Sequence, residues 1–150
     1  LKEKIWRLFG SEAGHKMSIN VLSFGFKFGM PLDADMVLDV RFLPNPFYIE
    51  ELRKKSGAVK EVADYIGKWP VTQEFEEKLD SLLDFLMPQY IKEGKPQFVV
   101  AVGCTGGMHR SVYIACHIYR FLSARGFQVE LEHRDLMKNE VAEHPAELPE

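Results

Sequence analysis

Residues 97–102 (QFVVAV) form a near-continuous apolar run. It leads directly into Gly103-Cys104-Thr105-Gly106-Gly107-Met108-His109-Arg110-Ser111, and residues 111–125 then place apolar side chains at helical spacing before Gly126. An apolar run of this kind suits a central strand covered on both faces. Adjacent glycines permit backbone angles closed to other residues and let the chain approach a ligand closely. The helix that follows adds unpaired N–H groups and the positive end of its dipole. Arg110 can grip an oxyanion with two parallel hydrogen bonds, and Thr105, His109 and Ser111 add polar contacts. These features favour one ligand class: phosphate, sulfate or carboxylate. A glycine turn without a ligand accounts for Gly106 and Gly107, but not for Cys, Thr, His, Arg and Ser crowded into the same loop.

The other segments fit around this unit. Residues 18–24, 36–41 and 127–132 read as strands, the last with Phe127, Val129 and Leu131 alternating against Gln128, Glu130 and Glu132. Residues 58–67 read as a short helix. Thr72 is the expected N-cap of a longer helix, in which Phe75, Leu79, Leu82, Leu83 and Leu86 share a face and Pro88 kinks or ends it. The predicted fold is α/β, a single-domain sandwich with a mixed, largely parallel sheet and one strand–phosphate loop–helix unit. Ligands of such sheets sit beyond the carboxyl ends of the strands, where residues 25–29, 41–46 and 103–110 can converge. Residues 1–16 read as a linker helix to an upstream domain, and residues 139–150 as a loose acidic tail.

Composition narrows the classes. The chain has 150 residues, 46% hydrophobic and 27% charged, with a net charge of -3, which suits one domain with a sizeable core and gives no global reason for nucleic-acid binding. Its 2 cysteines, Cys104 and Cys116, are too few for a disulfide framework and read as reduced thiols of a cytoplasmic protein. No ligand cluster for a metal, no cofactor motif, no membrane-spanning run and no signal peptide is read in it. Lys27, Arg53, Lys54, Lys55 and Lys60 read as a solvated charged face rather than a patch. His117 and Cys116 read as packing or helix-surface residues, and Trp69 as core or an interface anchor.

Cys104 to Arg110 also fits C-x5-R, the phosphate loop of cysteine-dependent phosphatases, in which a thiolate attacks phosphorus and Arg holds the equatorial oxygens. Gly103 stands where that pattern has His. The general acid would come from Asp33, Asp35 or Asp39 by loop position, although Asp39 beside Arg41 reads more simply as a structural ion pair.

Three longer stretches carry a resemblance. SFGFKFGMPLDADMVLDVRFLPNPFY (Ser23–Tyr48), GCTGGMHRSVYIA (Gly103–Ala115) and HRDL (His133–Leu136) resemble the C-terminal domain of the RapZ family of RNase adapters and YvcJ-like nucleotide-binding regulators. The resemblance covers about residues 17–138. It implies an upstream P-loop domain that binds ATP or GTP, no motif for which occurs here, so the chain reads as a C-terminal half. It also implies a sensor of aminosugar phosphates such as glucosamine-6-phosphate, a homo-oligomer, and in some members small-RNA binding. The implied anion pocket maps onto Cys104, Thr105, Gly106, Gly107, His109 and Arg110, with Arg41 and Asn45 from the neighbouring strand end. Two departures stand out. Phe47 replaces a His that follows the Asn-Pro pair in adapter members. The run after His133-Arg134 is acidic where they are basic, which argues against RNA on that surface.

Overall fold

The computed structural model describes residues 17–139. Four strands form one sheet: β1 (Ser18–Gly25), β2 (Met36–Asp39), β3 (Gln97–Cys104) and β4 (Gln128–His133), in the order β2-β3-β1-β4. Three helices accompany them: α1 (Lys60–Gly67), α2 (Pro70–Glu93) and α3 (Arg110–Ala124). Every strand pair is parallel, so the α/β fold with a largely parallel sheet expected from sequence is borne out, and the sheet is parallel throughout. The linker and tail readings fall outside the described residues, Asn139 excepted. Among the described residues no helix is long and apolar enough to cross a membrane.

The apolar run in β3 is central because both faces are covered. Phe98, Val100, Ala101 and Val102 are fully buried, and α3 packs across β1, β3 and β4. Ile114, Ile118 and Leu122 of α3, together with Leu83 and Met87 of α2, belong to the same core as Ile19 and Val21. β4 is an edge strand whose Gln128, Glu130 and Glu132 are exposed, as their alternation predicts. A smaller cluster of Met108, Val112, Cys116 and Leu136 lies where the start of α3 meets the turn after β4.

α2 begins earlier than its composition suggests. Pro70 sits in the first turn, where it has no N–H to leave unpaired, and Trp69 takes the cap position without a side-chain cap. Thr72 is therefore not the N-cap but lies inside the helix, fully buried. Pro88 is accommodated within the helix, which ends at Glu93. Trp69 is neither core nor fully free: it is 39% exposed and meets Tyr65 edge-on.

The order of the strands fixes where a ligand can sit. From β1 the chain goes to β2, on the far side of β3, and from β3 it goes to β4, on the far side of β1. The two connections diverge, and a crevice opens at the carboxyl ends of the central pair. Gly25 and Cys104, the last residues of those strands, are register partners there.

Candidate functional site

The loop after β3 packs directly against the end of β1. Gly107 has φ +75°, and a Cβ there would meet the Gly25 nitrogen at 2.6 Å; a Cβ on Gly25 would meet the Gly106 carbonyl carbon at 2.4 Å. Neither position has room for a side chain. Asp135, fully buried after β4, accepts the Gly25 N–H at 2.8 Å and is ion-paired with Arg134 and Lys138 at 2.8 Å each. Burial would raise its pKa, but those partners more than offset it and hold the carboxyl at about 2. Asn139, placed by sequence in the tail, donates to the Gly106 carbonyl at 2.8 Å and the Asp135 carbonyl at 2.9 Å. The HRDL segment therefore braces the loop from behind.

Cys104 lies at the loop's floor, 3% exposed, with its Sγ 3.2 Å from the Ser111 hydroxyl. Burial alone would raise the thiol's pKa. Hydrogen bonds from the Ser111 side chain and backbone and from the Gly107 N–H, with the charge of Arg110, bring it below the ordinary value instead. Arg110 is 6% exposed and donates Nη1 to the carbonyls of Arg41 at 2.5 Å and Leu43 at 3.2 Å. Its Nε is buried and has no partner among the described residues. A donor on a fixed guanidinium, left unpaired at such depth, is costly unless a ligand completes it.

His109 is also buried, and its Nε2 lies 2.9 Å from the Arg53 carbonyl. A carbonyl only accepts, so Nε2 carries the proton. Burial pushes the imidazole pKa down and favours the neutral ring. Asn45 Oδ1 accepts the Phe47 N–H at 3.1 Å and caps the 3-10 turn Pro46–Tyr48.

These residues surround a cavity of about 450 Å³. Of the residues expected from sequence, Asn45, Cys104, Thr105, Gly106, His109 and Arg110 line it. Gly107 and Ser111 act behind it, through the turn and the thiol. Arg41 does not line it: its guanidinium is committed to both carboxylate oxygens of Asp39 and lies over Phe26, while its carbonyl holds Arg110. Asp39 is no general acid in this position. Its hydrogen bonds to Arg41 lower its pKa and keep it ionised. Asp35 bonds Val99 and Lys95 at the other end of the sheet, and Asp33 does not line the cavity.

Sequence reasoning missed half of the wall. Lys27, Arg53 and Lys54, read as a solvated face, line the cavity, and so do Phe47, Tyr48, Met108 and Asn139. Lys27 had a signal, since it lies in a glycine-flanked loop already expected at this rim. Arg53 and Lys54 had none, because an irregular stretch without periodicity carries them in. Lys55 and Lys60 instead pair with Glu61 and Asp64. Among the described residues no carboxylate lines the cavity. Gly103 has a local reason as well: a Cβ there would meet the rings of Phe24 and Phe26 at 2.5 and 2.6 Å, so the His of the phosphatase pattern has no room.

The chain matches the model of the RapZ C-terminal domain over residues 17–137. A nucleotide-binding protein of Clostridium novyi is 57% identical over 138 residues, which is 91% of this chain and 47% of that protein. A nucleotide-binding protein of Caldicellulosiruptor saccharolyticus is 52% identical over 140 residues, 93% of this chain and 48% of that one. The chain spans about half the length of the curated relatives it matches.

Proposed function

The chain belongs to the RapZ C-terminal domain family, and from that premise we propose that it is a regulatory domain binding a phosphorylated metabolite in the Cys104–Ser111 loop without turning it over. One observation carries the reading: Arg110, whose buried Nε has no partner among the described residues, lines a cavity that has further cations and, among the described residues, no carboxylate. The loop N–H groups, the start of α3 and Arg110 together suit a tetrahedral oxyanion. The family resemblance puts aminosugar phosphates, glucosamine-6-phosphate first, at the head of the panel. In this reading an upstream nucleotide-binding domain receives the signal. Calorimetry with glucosamine-6-phosphate, glucosamine and inorganic phosphate tests it. Binding should require the phosphate, and Arg110→Lys, which keeps the charge but loses the fork, should weaken it about tenfold to a hundredfold. No heat with any phosphorylated compound, or equal binding of the bare sugar, counts against it.

A cysteine phosphatase is the second reading, favoured by the lowered pKa of Cys104. A phosphatase of this type also needs an acid for the leaving group, and no carboxylate faces the thiol among the cavity residues described. Aryl-phosphate hydrolysis lost in Cys104→Ser would revive it. An RNA-adapter role would use another face than β4, where Glu130 and Glu132 are exposed. A gel shift with steep salt dependence would support that role.

A further inference from the structure

The cavity holds more than one phosphate requires. Arg110, Lys27 and Arg53 all line it, and no carboxylate among the described lining residues offsets them. A phosphate monoester carries about -2 at most. With Lys54, four cations line the cavity; around one such group they leave positive charge unmatched in a partly desolvated site, and a second anionic group satisfies it. Arg53 is held in place for this. Its Nε donates to the Phe47 carbonyl at 2.7 Å, and its guanidinium lies 5.0 Å from the centre of the Phe47 ring.

The wall beside Arg53 is aromatic and open. Phe47 is 51% exposed and Tyr48 77% exposed, with ring centroids 5.9 Å apart at 84°. The Asn45 cap fixes the short turn that carries them. Two large rings kept in water at the mouth of a basic cavity suit a flat partner that stacks on one of them. The cavity volume of about 450 Å³ falls in the range that encloses a whole small molecule rather than an ion.

We propose that this half of the protein itself takes a nucleoside diphosphate. The terminal phosphate sits in the Cys104–Ser111 loop with Arg110 and Lys27, the inner phosphate meets Arg53, and the base stacks on the Phe47–Tyr48 wall. The inference rests on the reading of that loop as a phosphate site and names the ligand class it serves. The test is calorimetry on the chain with adenosine and uridine diphosphates, their monophosphates, inorganic pyrophosphate, inorganic phosphate and glucosamine-6-phosphate. At least one nucleoside diphosphate should bind tenfold or more tighter than pyrophosphate and than its own monophosphate. Tyr48→Ala, at an exposed position whose ring does not hold Arg53, should remove about tenfold from that affinity and leave pyrophosphate binding unchanged. Nucleoside diphosphates no tighter than pyrophosphate, or a Tyr48→Ala chain in which both are weakened alike, overturn the inference while leaving the phosphate loop standing. No binding of any phosphate compound overturns both.

Discussion

Gly107 and Asp135 decide whether the loop has its shape. Gly107 adopts φ +75°, a region that costs other residues about 1–2 kcal/mol, and its missing Cβ leaves the 2.6 Å approach to the Gly25 nitrogen open. Gly107→Ala should therefore lower stability in urea unfolding by at least about 2 kcal/mol and weaken phosphate binding together with it. A variant of unchanged stability would mean that the two backbones separate easily. Asp135 holds the other side of the contact, and its pKa of about 2 lies below the ordinary 3.8. A depressed carboxyl stabilises the fold above its unfolded pKa and loses that contribution as pH falls through the folded one. Here the window runs from about pH 4 down to about pH 2 and is worth roughly 2 kcal/mol. Asp135→Asn should be less stable than the parent at pH 7 and should lose less on acidification to pH 2.5. Parallel losses would place the acid sensitivity elsewhere.

At the scale of elements, α2 and the end of β4 show what patterning reveals and what it conceals. Phe75, Leu79, Leu83 and Leu86 mark the inner face of α2 because burial imposes a period of 3.6. The start was misplaced at Thr72 because a hydroxyl looks like a cap, whereas Pro70 had already begun the helix. The buried Thr72 hydroxyl has no partner among the described residues. Thr72→Val, close to isosteric, should raise stability by about 1 kcal/mol in urea unfolding; a loss would show that the hydroxyl bonds something in solution. His133, at the end of β4, ties three elements together: its Nδ1 meets the Ser23 hydroxyl of β1 at 2.7 Å and its Nε2 lies 3.9 Å from the Cys116 sulfur of α3. The motif HRDL marked this region by resemblance, but its structural work depends on contacts over a hundred residues apart that no local pattern displays. Burial pushes the His133 pKa down to about 4. The folded state thus favours the neutral ring, and the associated stability is complete above about pH 6.5 and lost as pH falls toward about 4. The loss should reach about 2 kcal/mol by pH 5. His133→Asn should show a shallower decline in Tm between pH 7 and pH 5, with part of the slope remaining because burial also lowers the pKa of His109.

For the whole molecule, charge and site point in opposite directions. The chain carries a net charge of -3, yet its cavity gathers Lys27, Arg53 and Arg110. Composition could not reveal this, because the total averages over a surface on which Glu130 and Glu132 lie on a different strand from the site. The loop from Cys104 to Ser111 was legible because its chemistry is contiguous in sequence. The opposite wall was not, since Phe47, Tyr48 and Arg53 reach the rim only through the fold. The two walls should also respond differently to salt. The Debye length is about 10 Å at 0.1 M and about 3 Å at 1 M, so charges near solvent are screened while a buried one is much less affected. Arg110 is 6% exposed and its contribution should survive salt. Lys27 is exposed at the mouth and should lose its contribution. Affinity for a phosphorylated ligand, measured from 0.05 to 0.5 M sodium chloride, should fall several-fold in the parent chain. Lys27→Gln should start weaker and show a flatter salt slope, whereas Arg110→Lys should start weaker with the slope preserved. If Lys27→Gln kept the parent slope, the attraction would arise from the buried fork and not from the charged mouth.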